Sequence, residues 1–301
     1  MGSIAELSPE WRAWIVTNLE RSVPLTTLIE EMVKNNFDLV FATNTVVQLA
    51  GDPSASTDSS LATIRPQFKF PVPAGFEQHY DDYRYEASHI AQGNALLVGQ
   101  QTVRIVARIA QPDVVVLQDV LTAAECDELI ALSKPKLERS RIVDHQTGAE
   151  EVMDLRSSYG TYFLRGENAF VKRLEQRLAT LIGMPVDNGE GLQILHYGVG
   201  AEYQPHYDFF LPESTGSAIH VAKGGQRVIT VIMYLNDVEE GGETIFPELD
   251  FAVAPRKGSA VYFSYCNSEN KLDRMTLHGG SPVRRGEKWI ATLWVRQGTY
   301  Q

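Results

Sequence analysis

Cysteine is nearly absent: of 301 residues only Cys126 and Cys266 carry a thiol. They lie far apart, one in an expected helix and one in a loop-like stretch, so free thiols in a reducing compartment are expected rather than a disulfide framework. No run of eighteen apolar residues occurs, so no membrane-spanning helix and no membrane partner are expected. A basic block is missing too, and the formal net charge is −11, which disfavours nucleic acid as a partner. The opening residues, MGSIAELSPEWRAW, lack the basic start and apolar core of a secretory signal. Glu6 stands where a myristoylation pattern wants Ser or Thr. A cytoplasmic location is the expectation. What is present is ordinary for a globular chain, with 22% charged and 44% hydrophobic residues. Its length allows one large domain with an appendage, or two domains.

Along the chain, residues 9–41 keep helical spacing, through Trp11, Trp14, Ile15 and Leu19 and then Leu25, Leu28, Ile29, Met32 and Val33. ERSVP breaks this stretch, with Pro24 tolerable at the first turn of the second helix. Residues 1–50 are therefore expected to form a small helical unit. An apolar stripe on a helix is ordinarily core, so the unit is expected to pack on the main domain or on a second copy in a homodimer. A docking module for a partner or substrate is the alternative. Residues 51–75 are rich in Ser, Asp and Pro without periodicity, as in a linker. In the acidic patch that follows, His79, Asp82 and His89 imitate a metal site, but surface positions are expected for them.

The remaining residues, 76–301, read as one domain. TVRIVARIA and VVVLQDVL are extended runs. Thr122 and Glu125 form a capping box that opens a helix to about Ser133. Residues 168–182 form an amphipathic helix that Gly183 stops. From about residue 190 onward short strands follow, ILHYG, RVITVIMYL, GETIFP, SAVYFS and KWIATLWV, separated by glycine-containing turns. The expected class is mainly β with helices (α+β), with a sandwich or barrel core over residues 190–301.

Chemistry concentrates in GLQILHYGVGAEYQPHYDFF. On an extended strand positions i and i+2 share a face, so His206 and Asp208 can grip one metal ion. His278, in TLHGG, is the candidate third ligand, flanked by glycines where a histidine has little packing role. Two histidines and a carboxylate with open positions suit non-haem Fe(II) oxygenase chemistry. Lys288 lies ten residues further on, in a strand whose neighbours Trp289, Ile290, Leu293 and Trp294 look buried. A buried ammonium wants an anion, and Thr244, in GGETIFP, can offer the same anion a hydroxyl.

LQILHYGVGAEYQPHYDFF, NDVEEGGETIFPE, PRKGSAVYF and LHGGSPVRRGEKW together resemble the prolyl 4-hydroxylases, above all the catalytic domain of the collagen-type enzymes. These are Fe(II)- and 2-oxoglutarate-dependent dioxygenases. The resemblance spans residues 112–301 and implies a double-stranded β-helix, or jelly roll. It implies that His206, Asp208 and His278 hold Fe(II), and that Lys288, Thr244 and Tyr197 hold the distal carboxylate of 2-oxoglutarate. Dioxygen takes a remaining position on the iron, 2-oxoglutarate is decarboxylated to succinate, and ascorbate serves as reductant. Arg156, Tyr207, Arg227 and Trp294 match positions near the peptide, and residues 211–225 are a candidate lid. His196 and His220 are not needed as ligands.

The collagen-type enzymes carry a secretory signal and a peptide-binding domain of tandem helical repeats, neither of which is visible here. A cytoplasmic hydroxylase acting on a proline-containing peptide or protein is the expected reading. Two alternatives stand beside it. One is the same chemistry on a free amino acid or other small molecule, which requires a second carboxylate-binding cation such as Arg156 or Arg227. The other is a non-catalytic 2-oxoglutarate or iron sensor with a partner-binding N-terminus.

Overall fold

The computed structural model describes residues 7–51 and 83–301, apart from 22, 38, 141, 144–149, 152–156, 213 and 215. The chain divides into two compact units, Met1–Phe68 and Lys69–Gln301. The expected linker, His79 and Asp82 lie outside the described residues, and His89 is exposed.

The first unit holds three helices: α1 (Pro9–Glu20), α2 (Leu25–Lys34) and α3 (Leu39–Gly51). Ser8 caps α1 by accepting the Trp11 N–H, and Pro9 occupies a position where its missing N–H costs nothing. The break at Pro24 is where the sequence places it. A second break was not legible: Asn36 takes a left-handed backbone, φ 66°, and separates α2 from a third helix. Ile15, Leu28, Met32, Phe37, Ala42, Val46 and Leu49 form this unit's own buried core.

The second unit begins with β1 (Ala95–Val98), β2 (Gln101–Ile109) and β3 (Val114–Gln118), followed by α4 (Ala123–Ser133). Short strands β4 (Glu138–Arg139), β5 (Ile142–Val143) and β6 (Glu150–Glu151) lead to β7 (Tyr159–Phe163) and α5 (Ala169–Ile182). Then come β8 (Leu192–Tyr197), β9 (Tyr203–His206), α6 (Ser217–Val221), β10 (Arg227–Tyr234), β11 (Glu240–Gly241), β12 (Thr244–Phe246) and β13 (Phe251–Val253). The chain closes with β14 (Ala260–Ser264), β15 (His278–Gly280), β16 (Val283–Arg285) and β17 (Lys288–Arg296).

The long strands form a nine-stranded antiparallel sheet, β1-β2-β3-β14-β10-β17-β8-β7-β4, and a four-stranded sheet, β13-β12-β15-β9. From β8 onward the chain crosses repeatedly between them: β8, β10, β14 and β17 join the large sheet, and β9, β12, β13 and β15 the small one. Eight strands shared in this order between two sheets make a jelly roll. The class is α+β.

Period-two alternation assigns each residue to one of two apolar layers. Trp289, Ala291, Leu293 and Val295 of β17 face outward, where α4 and α5 cover the sheet with Cys126, Leu129, Val171, Leu174 and Leu178. The capping box that opens α4 is present, and Gly183 ends α5 in a left-handed conformation. The other face looks between the sheets, where Tyr197, Tyr234, Phe246, Phe263, Tyr265 and Ile290 form a second core. The site opens within this second layer.

Candidate active site

A cavity open to solvent lies between the sheets, floored by alternate residues of β8 (Gln193, Leu195, Tyr197) and β17 (Lys288, Ile290, Thr292, Trp294). Register fixes its axis: Lys288 pairs with Tyr197, Ile290 with Leu195 and Thr292 with Gln193. Its roof comes from the small sheet, where β15 pairs with β9 and sets His278 opposite His206. Asp208 sits two residues beyond the end of β9, in a bend rather than on the strand expected for it, yet still faces the histidines.

The candidate ligand atoms of His206, Asp208 and His278 all lie within 4.8 Å of one another. His206 Nε2 is 3.6 Å from Asp208 Oδ1, and His278 Nε2 is 3.4 Å from Asp208 Oδ2. Each imidazole is oriented from behind. His206 Nδ1 lies 2.9 Å from the Gln204 carbonyl and His278 Nδ1 lies 3.0 Å from the Thr276 carbonyl. A carbonyl only accepts, so both Nδ1 atoms donate and both Nε2 lone pairs turn to the shared centre. Burial, together with the nearby His278, pushes His206 down to about 4, which keeps it neutral near pH 7. Burial works to raise Asp208, but His278 and His206 outweigh it and hold the carboxyl well below its ordinary range. Two imidazoles with Nε2 turned to the centre and one carboxylate are the donor set that Fe(II) takes in 2-His-1-carboxylate sites.

Lys288 is 3% exposed. Among the described residues no carboxylate comes within ion-pair distance of it. Burial pushes its ammonium down to about 8, against a weaker upward pull from Glu243. Gly280 leaves room beside it, because a Cβ there would stand 3.6 Å from Lys288 Nζ. Thr244 lines the same end of the cavity, and its Oγ1 accepts a 2.7 Å hydrogen bond from the Tyr234 hydroxyl. That bond leaves the threonine's own hydrogen for another acceptor. A buried cation, a donor hydroxyl and adjoining space fit a small anion carrying a carboxylate.

The expected substrate residues are placed less uniformly. Trp294 lines the cavity, and the Arg227 guanidinium stacks on its ring at 3.9 Å. Arg227 itself is engaged elsewhere: Nε and Nη2 donate to the two Glu190 oxygens at 2.7 and 2.9 Å. Burial opposes ionisation of Glu190, yet Arg227 and Arg296 keep its carboxyl low. Tyr207 is not in the cavity wall. Its ring packs in the second apolar core, stacked on Phe209 at 4.5 Å. Arg156 lies outside the described residues. Within the expected lid, α6 forms over Ser217–Val221, and His220 stacks on Phe210 at 5.1 Å. His196 faces away from the centre and contacts Glu287 at 2.8 Å.

Sequence reading passed over Tyr203, whose ring stacks on His206 at 3.7 Å, and the buried Gln193, Thr230, Tyr234 and Thr292. For the last four the signal was a polar or phenolic residue at an inward position of an otherwise apolar strand.

Residues 192–296 match the family model of the 2OG-Fe(II) oxygenase superfamily. The chain is 40% identical over 210 residues to a probable prolyl 4-hydroxylase 3 of Arabidopsis thaliana, spanning 64% of this chain and 71% of that one. It is 41% identical over 203 residues to prolyl 4-hydroxylase 5 of the same plant, spanning 61% and 68%. Among solved structures, a viral collagen prolyl hydroxylase from Paramecium Bursaria Chlorella virus-1 is 29% identical with a TM-score of 0.48, over 61% of this chain and 95% of that one.

Proposed function

The chain belongs to the prolyl 4-hydroxylase family of Fe(II)- and 2-oxoglutarate-dependent dioxygenases, and we propose that His206, Asp208 and His278 hold its iron. Lys288, Thr244 and Tyr197 hold the distal carboxylate of 2-oxoglutarate. The reaction is hydroxylation of prolyl residues in a peptide or protein, coupled to decarboxylation of 2-oxoglutarate to succinate and carbon dioxide. One observation carries the residue assignment: a buried ammonium with no carboxylate partner among the described residues shares a cavity with two imidazoles and a carboxylate converging on one point.

When bound, iron and 2-oxoglutarate supply the activation of dioxygen and the oxidising power. The protein's part is orientation and shielding. Its two imidazoles are oriented in advance, each Nδ1 turned to a backbone carbonyl and each Nε2 to the shared centre. Leu195, Ile232 and Ile290 line the same cavity as His206, Asp208, His278 and Lys288. They exclude water there and strengthen the pull of the ammonium on a carboxylate. Trp294, Thr292 and Gln193, toward the opposite end of the paired strands, are the proposed wall for the prolyl residue.

A peptide substrate is favoured over a free amino acid because Arg227, a cation such a substrate would need, is already paired with Glu190. Ascorbate is the proposed reductant. The two unpaired thiols support a reducing, cytoplasmic setting. The exposed Leu25 and Val33 of α2 support a homodimer through the helical unit.

Purified protein with Fe(II), ascorbate and 2-oxoglutarate is expected to release succinate when given proline-rich peptides, with one oxygen gained on a prolyl residue by mass spectrometry. Oxygen gained only by free L-proline would move the substrate to small-molecule metabolism. Absence of stimulated succinate with either would overturn the prolyl reading.

A further inference from the structure

Thr230 in β10 and Tyr265 just past β14 are fully buried between the sheets. A hydroxyl sealed there needs a partner, since leaving one unmade costs about 1–3 kcal/mol. Thr230 Oγ1 donates to Asp208 Oδ2 at 2.7 Å. Its single hydrogen is then spent, so the Tyr265 hydroxyl, 2.9 Å away, is the donor to Thr230. The bonds run in series, from Tyr265 to Thr230 to Asp208. Asp208 Oδ1, not held by this series, faces His206 Nε2 at 3.6 Å. Arg227 Nη1 reaches the Asp208 carbonyl at 3.4 Å and steadies the main chain of the same residue. A carboxylate free to turn about its Cβ–Cγ bond would exchange its two oxygens. Thr230 removes that freedom.

We infer that Thr230 and Tyr265 are positioning residues for the metal: they pin the Asp208 carboxylate through Oδ2, the oxygen on the His278 side, so that Oδ1 stays open beside His206. The inference rests on the metal reading of His206, Asp208 and His278. Neither residue touches the ligand-binding atoms of the histidines, and both act through Asp208. Partners of this kind typically change metal affinity by about 10–100-fold.

The test is calorimetric titration of the full chain, freed of metal by chelation, with Mn(II). Thr230→Val keeps the shape of the side chain and is expected to raise the Kd by about 10–100-fold, with a lowered melting temperature because the buried Tyr265 hydroxyl loses its partner. Thr230→Ser restores the hydroxyl and is expected to restore the affinity. Tyr265→Phe weakens binding less, and the double variant with Thr230→Val is no weaker than Thr230→Val alone, because the two groups act in series. Wild-type affinity in Thr230→Val overturns the inference, as does a Thr230→Ser protein as weak as Thr230→Val. If Thr230→Val does not fold, Tyr265→Phe decides: an unchanged Kd overturns the inference. A wild-type chain that binds no Mn(II) strikes the metal reading itself, whereas tight wild type with equally tight variants strikes this inference alone.

Discussion

An ammonium kept from water without a carboxylate partner is easier to deprotonate than one at the surface, and burial pushes Lys288 down to about 8. In the unfolded chain the same lysine titrates near its ordinary value of about 10.4. Between these values the folded state binds fewer protons, so the stability of the protein without cosubstrate rises with pH across this window. Below about pH 8 both states are charged and the burial penalty stands in full. Binding of 2-oxoglutarate has the opposite sign, because it needs the ammonium. Its affinity is expected to fall as pH rises past about 8, read by titration over the window in which melting temperature rises. Flat affinity would place the anion elsewhere. Lys288→Ala is expected to weaken 2-oxoglutarate by about 1.5–3 kcal/mol, the worth of a charged hydrogen bond, with metal affinity unchanged. His206→Ala or Asp208→Ala is expected to abolish turnover and weaken metal binding while the melting temperature stays near wild type. Full turnover by either variant would sink the metal assignment.

At the scale of elements, the site depends on how closely β15 approaches β9. Gly279 lies between His278 and Gly280, and a Cβ there would stand 2.8 Å from the Tyr203 carbonyl and 3.0 Å from Pro205 N. Both neighbours are backbone of β9 and cannot swing away. Gly279→Ala is therefore expected to push β15 off β9, move His278 from His206, and cost about 1–3 kcal/mol of stability. Metal affinity should fall with it, by more than a surface substitution of equal destabilisation would produce. Unchanged metal affinity and melting temperature would mean that the two strands give way freely. The outer helices act at longer range. Arg177 of α5 clasps Glu125 of α4 with two bonds of 2.7 Å, and the same carboxylate caps α4. One side chain thus ties both helices over the sheet whose other face carries Lys288.

Across the whole molecule, the two units have separate cores, one of α1–α3 and one of the sheets with α4 and α5. All the cavity residues belong to the second unit. Deleting residues 1–50 is expected to spare metal binding and succinate formation. The informative measurement is peptide turnover by the truncated chain: loss of peptide hydroxylation with 2-oxoglutarate binding intact would make the helices a substrate-binding module. Retention of both would leave them to docking or self-association.

Local pattern determined a good part of this. Alternation placed β2, β3, β8, β10, β14 and β17, the capping box opened α4, and a left-handed glycine closed α5. The spacing of His206 and Asp208, and a lysine among buried neighbours, marked the residues that the structure brings to one pocket. These signals are legible because periodicity and capping act over a few residues, the range that sequence order preserves. Other features were decided only by tertiary structure. Arg227 went to Glu190, Tyr207 stacked on Phe209, and Thr230 and Tyr265 joined Asp208 in one series. His278 met His206 through the pairing of β15 with β9. A residue's letter states that it needs a partner. Which partner it finds depends on which strands the crossings between two sheets bring side by side.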